Sequence, residues 1–167
     1  DMAVLLEAAN QAPGSPLAAI SLPQAGIDHV VVVGTGDNEL TLGPGWFRDS
    51  DAPGLGNTLI AGHRTTHDAP FRHLDDVVAG DELSITLADG TVRSYRAVNP
   101  ADFWPVERLE SWGTVELLDG SAAAIVRDDA FWIAEPGDDS LADTLVFFAC
   151  HPVESSKWRI AVAFVAA

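Results

Sequence analysis

At 167 residues the chain has the length of one domain and enough of it to bury roughly two thirds of its unfolded surface. Its 9 Lys+Arg against 25 Asp+Glu give a formal net charge of −16, a field that repels phosphate backbones and anionic headgroups and so argues against nucleic-acid binding and basic-patch membrane binding. A single cysteine excludes an internal disulfide and leaves an unpaired thiol.

In chain order, residues 2–9 fit a short helix, and Asn10-Gln11-Ala12-Pro13-Gly14-Ser15-Pro16 reads as a linker. Residues 1–16 are therefore expected to be an N-terminal arm, with the compact domain covering 17–167. Beyond the arm come short segments rich in Val and Ile, divided by Gly, Pro and Asp clusters. The expected strands are 18–22, 28–34, 57–62, 81–88, 91–98, 113–118, 122–127, 144–150 and 158–166. Asp89-Gly90 signals a type I′ hairpin, and Phe71, Leu74, Val77 and Val78 on one side suggest a helix over 69–78. Many strands and few helices predict a mainly β fold, a closed or nearly closed barrel rather than a parallel α/β sheet. The runs around Ile60 and Phe147 are apolar on both alternating faces, as central strands covered on both sides require. No run approaches the roughly 18 apolar residues of a membrane span, and no signal peptide with a basic leading region is present; any anchor is expected before residue 1.

Three of these segments each deliver one reactive side chain at an end. Cys150 closes an apolar run and is followed by His151-Pro152, where proline cannot continue a ladder, so the chain leaves the sheet at the thiol. A lone cysteine is ordinarily a small core residue, and an unperturbed thiol is only a few per cent thiolate at neutral pH, so nucleophilicity needs a neighbouring base or cation. His63, after a glycine at a strand end, is the better general acid and base. His151 is adjacent to the thiol and points to the opposite side of an extended chain, which suits a loop role. Arg159 opens the strand that returns antiparallel beside Cys150, on the face of Ala161, Ala163 and Val165. There its planar fork can hold a carbonyl or a developing oxyanion, or else bridge to a surface carboxylate. His63 and His67 stand four apart, but the general-base Glu of the zinc-protease pattern is replaced by Arg64. The doublets Asp75-Asp76, Asp128-Asp129 and Asp138-Asp139 lack the spaced ligands of a calcium loop. Neither a metal nor a cofactor is expected.

The segments Asn57-Thr58-Leu59-Ile60-Ala61-Gly62-His63-Arg64, Gly80-Asp81, Cys150-His151-Pro152 and Ser156 to Arg159 together resemble the sortases, Gram-positive cysteine transpeptidases, over nearly the whole chain from about residue 17. The stretch from Ala61 to Phe71 is most similar to the actinobacterial class E type, with class D next, and the Asp-Pro-aromatic lid of pilin-polymerising class C enzymes is not seen. The resemblance implies an eight-stranded barrel with one or two short helices. It implies that Cys150 attacks the Thr-Gly carbonyl of a sorting signal of LPxTG or LAxTG type, that His63 protonates the departing amine, and that Arg159 positions the signal. The partners implied are a surface-protein sorting-signal peptide and an amine of a peptidoglycan precursor or pilin. The place implied is the extracellular face of the cell membrane, reached only through the missing anchor. The segment 128–143 corresponds to the lining of the signal groove, with Phe131, Trp132 and Ile133 as apolar contacts or as core. Two departures stand out. The family's Thr-Leu-x-Thr before the cysteine is Val146-Phe147-Phe148-Ala149, so a hydroxyl near the signal is missing at Ala149, and an insertion around 103–119 carries Trp104 and Trp112. A weakened signal-binding module, a cysteine hydrolase and a pilin-linking enzyme are the alternatives.

Overall fold

In the computed structural model, residues 10–64, 68–105, 107, 109, 116–127, 133, 143–151 and 158–167 are described. The Val- and Ile-rich segments form ten strands: β1 Pro16–Leu22, β2 Ile27–Val33, β3 Gly45–Trp46, β4 Asn57–Ala61, β5 Glu82–Leu87, β6 Val92–Val98, β7 Glu116–Leu117, β8 Ala123–Arg127, β9 Thr144–His151 and β10 Trp158–Ala166. Two short helices with both ends among the described residues accompany them, α1 Asp37–Leu42 and α2 Pro100–Phe103. The residues just before β1 are tied to β2: Gly14 N–H donates to the Val33 carbonyl and Val33 N–H to the Ser15 carbonyl, both at 2.8 Å.

The sheet order is β6-β5-β1-β2-β3-β4-β9-β10-β8-β7, and a further β6–β10 pairing closes it into a barrel. Two of the ten strands add no stave of their own: among the described residues β7 pairs with β8 alone and lies off the closed ring, and β10 accounts for the other. Its second half pairs with β6, ending at Ala163↔Val98, and its first half pairs with β8, beginning at Val162↔Ala123. The two registers are consecutive, so β6 and β8 are halves of one barrel strand with residues 99–122 spliced into its middle. The pleat supports this: Tyr95 and Ala97 face inward and Val98 outward, and then Ala123 and Ile125 face inward and Ala124 and Val126 outward.

Two apolar cores result. The inner one fills the barrel with Leu22, Val31, Trp46, Ile60, Phe71, Leu83, Tyr95, Phe147, Ile160 and Phe164 among others, and Phe147 stacks on Phe71 at 4.8 Å and lies 5.0 Å from Phe164. The outer one comprises Leu59, Phe103, Trp104, Leu109, Ala124, Val126, Ile133, Val146, Ala161 and Ala163. β4, β9 and β10 lie between them, which is why the runs around Ile60 and Phe147 are apolar at every position.

Two local expectations need correction. The segment 69–78 is turn followed by a 3-10 helix at Leu74–Asp76, not an α-helix. Phe71, Leu74 and Val77 are all buried, a spacing of three that suits the tighter helix, and Asp68 and Ala69 take positive φ. At the β5–β6 turn only Gly90 has positive φ, and Gly90 N–H donates to the Leu87 carbonyl while Leu87 N–H donates to the Thr91 carbonyl. This is a three-residue loop closed by a left-handed glycine rather than a type I′ turn, which needs two positive φ values. The Asp89 carboxylate accepts from Thr91 N–H at 2.9 Å, which lowers its pKa. The suggested helix over 2–9 lies outside the described residues.

Candidate functional site

The three strand ends singled out above lie side by side. β4 runs parallel to β9, with Ala61↔Phe148 as the last pair, and Gly62 N–H carries the ladder one step further by donating to the Phe148 carbonyl at 3.1 Å. Continued in that register, position 63 is level with position 150. β10 runs antiparallel to β9 with Arg159↔Cys150 directly opposite. His63, Cys150 and Arg159 thus occupy one row across three adjacent strands, about 5 Å from strand to strand and about 10 Å from end to end. All three positions alternate onto the outer face: Leu59 precedes His63 by four residues, Val146 precedes Cys150 by four, and Ala161 follows Arg159 by two, and all belong to the outer core.

The surroundings fix the two ends of the row. His63 is half-buried, and its carbonyl accepts from Phe71 N–H at 3.0 Å, which pins the turn after β4 to the ring that stacks in the inner core. Gly62 is required there, since a Cβ would stand 2.6 Å from Phe71 Cδ2. Arg64 follows as a buried cation, its Nη2 donating to the Arg72 carbonyl and to Asp75 Oδ1, each at 3.1 Å. Sequence reading used Arg64 to set zinc aside and as the end of the Asn57–Arg64 motif; its part in anchoring the His63 turn depends on a fold that brings Asp75 to it. Arg159 is half-buried, with Nη1 donating to the Trp158 carbonyl at 3.1 Å, and Val126 of β8 is its other cross-strand neighbour.

The remaining expected residues are placed as follows. Ala149 is buried in the inner core opposite Ile160, on the face away from the row. His151 extends β9 by one residue, paired with Trp158, and its register position falls on the face opposite position 150. Ile133 is buried in the outer core, where its carbonyl accepts from Trp104 Nε1 at 3.2 Å. Phe131 and Trp132 lie outside the described residues, as do His67, Trp112, both doublets of segment 128–143 and the loop 152–157. A cysteine position level with a histidine position on one side and an arginine position on the other is an arrangement that acyl transfer could use.

A family model described as "Sortase domain" matches residues 20–166. Among solved structures, a point mutant of sortase E from Streptomyces avermitilis aligns over 94% of this chain and 91% of its own, at 23% identity and TM-score 0.64. Sortase C from Clostridium perfringens with the C-terminal cell wall sorting motif aligns over 95% and 74%, at 17% identity and TM-score 0.73. A sortase D5 transpeptidase from the same organism aligns over 98% and 93%, at 18% identity and TM-score 0.69. No curated protein matches the sequence. These structural likenesses carry the fold, and the class E resemblance read in the sequence agrees with the first of them.

Proposed function

Because this chain belongs to the sortase family of cysteine transpeptidases, we propose that it cleaves a surface-protein sorting signal of LPxTG or LAxTG type between Thr and Gly and transfers the acyl group to a cell-wall amine. The Cys150 thiolate attacks the scissile carbonyl carbon, and the charge collects on the carbonyl oxygen. The C–N bond then breaks as His63 gives its proton to the departing glycine amine, leaving a thioester on Cys150. An amine of a peptidoglycan precursor attacks that thioester, His63 accepts the proton released, and the C–S bond breaks. Arg159 directs guanidinium N–H groups at the signal or the oxyanion. No cofactor takes part in these steps.

The observation that carries this reading is the register row, 63 level with 150 and 159 opposite 150. Ile133, with Phe131 and Trp132 beside it in sequence, is proposed to line the apolar side of the signal site. Ala149 acts through its place beside the nucleophile, since its methyl packs inward. The enzyme works at the cell surface, and attachment at the extracellular face of the membrane is part of the proposal. Among the described residues no helix is long and apolar enough to cross a membrane.

The test is product mass with and without an added amine. Transfer predicts that an LPxTG or LAxTG peptide yields the amide of added hydroxylamine or glycine peptide, and that His63→Ala and Arg159→Ala each slow it by at least ~10²-fold. Free acid as the sole product in the presence of amine makes the protein a hydrolase instead, and binding without turnover makes it a signal-binding module.

A further inference from the structure

The segment spliced between Val98 and Ala123 is not needed to complete the barrel strand, because the β10 register runs through the splice without a break. Its apolar residues go elsewhere. Phe103, Trp104 and Leu109 fold over the outer face of β8, β9 and β10, where Ala124, Ala161 and Ala163 leave room for the edge-to-face pair of Phe103 and Trp104 at 5.0 Å and 82°. Trp104 is 1% exposed, and its indole N–H donates to the Ile133 carbonyl. Ile133 is itself 7% exposed and shares its cluster with Val126, directly across from Arg159, and with Ala161, two residues along β10 from it. The insertion therefore bonds, through a buried hydrogen bond, to a residue of the same apolar cluster that holds Val126 and Ala161, the neighbours of Arg159.

We propose that Trp104 is a positioning residue for the acyl donor: by holding the Ile133 carbonyl it fixes an apolar wall beside the row, and that wall receives an aliphatic side chain of the donor peptide on the N-terminal side of the scissile bond. The inference rests on the function proposed above and adds to it a role for the insertion. Burial alone would have been met by any large apolar residue. The indole adds a directional donor, and a buried donor requires its acceptor in place.

Trp104→Phe keeps an aromatic ring in the outer core and removes the donor. With an LAxTG peptide and saturating hydroxylamine, at a temperature well below unfolding, the variant is expected to raise KM about fivefold or more with kcat within about twofold of the parent, the pattern of lost donor binding. A purely structural role would lower the unfolding temperature and leave that split absent. KM within twofold of the parent in a folded Trp104→Phe protein overturns the proposal. Should that variant not fold, Ile133→Ala decides. It is expected to raise KM about fivefold for LAxTG and much less for AAxTG, and equal effects on the two peptides overturn the proposal. If the parent processes neither peptide, the functional reading fails and takes this inference with it; if the parent is active and the variants match it, only the inference fails.

Discussion

Tyr95 is the only tyrosine of the chain and is fully buried, its hydroxyl donating to Asp143 Oδ1 at 2.6 Å while Arg93 Nη1 donates to the other carboxylate oxygen at 3.0 Å. Asp143 immediately precedes β9, so this pair of bonds secures the root of the strand that ends at Cys150. Tyr95→Phe removes a hydrogen bond to a charged acceptor, worth about 1.5–3 kcal/mol, and leaves no orphaned donor on the ring. Arg93 keeps its hold on the carboxylate, so the loss is expected at the lower end, about 1.5–2 kcal/mol at pH 8. Burial first, then the Asp143 carboxylate, pushes the phenol pKa above its ordinary 10.0. A raised pKa means that the native state favours the neutral phenol, so this stabilisation is complete below pH 10 and is lost at higher pH, where only the unfolded chain ionises. The slope approaches about 1.4 kcal/mol per pH unit, and integrated from pH 8 it narrows the gap between parent and variant by about 1.4 kcal/mol at pH 11. Urea unfolding of both proteins at pH 8 and pH 11 measures the gap, and tyrosinate absorbance of the native parent should stay flat through pH 10. An unchanged gap, or native ionisation near pH 10, would refute the reasoning.

Two further substitutions probe the turn that carries His63. Gly62→Ala forces a Cβ into Phe71, and either the stacked ring or the turn must move. Overpacking of this kind costs about 1–3 kcal/mol by urea unfolding, and displacement of His63 should reduce transfer at least ~10-fold even where the protein remains folded. Arg64→Ala removes a cation whose side chain is 4% exposed and whose fork spans the Arg72 carbonyl and Asp75. It should cost about 1–3 kcal/mol, whereas Asp75→Asn, at the 44% exposed end of the same pair, should cost under about 1 kcal/mol in the same assay.

Much of this was legible because the barrel's strands are short, β-branched and separated by turn residues. The segment read as 158–166 is β10, and the one read as 28–34 is β2, shifted by one residue. Ala161, Ala163 and Val165, which alternation puts on one face with Arg159, do pack together in the outer core. β3 escaped because two residues carry no periodicity, and Gly45–Trp46 is a strand only through its partners Val32 and Ile60. α1 escaped because none of its residues is buried, so no apolar stripe marks it. The splice was visible only as an unexplained insertion. That Val98 and Ala123 are successive positions of one strand is a long-range fact recorded by β10, and local propensity does not carry it. The row of 63, 150 and 159 likewise depends on one parallel and one antiparallel register, which sequence order alone leaves open.

The most direct test of the central claim is the mass of the intact protein, quenched in acid during turnover of a sorting-signal peptide without added amine. The expected result is an added mass equal to the peptide's acyl portion, mapped to Cys150, released by hydroxylamine and absent from Cys150→Ala. Continued cleavage by Cys150→Ala, or an acyl group mapped to any other residue, would contradict it.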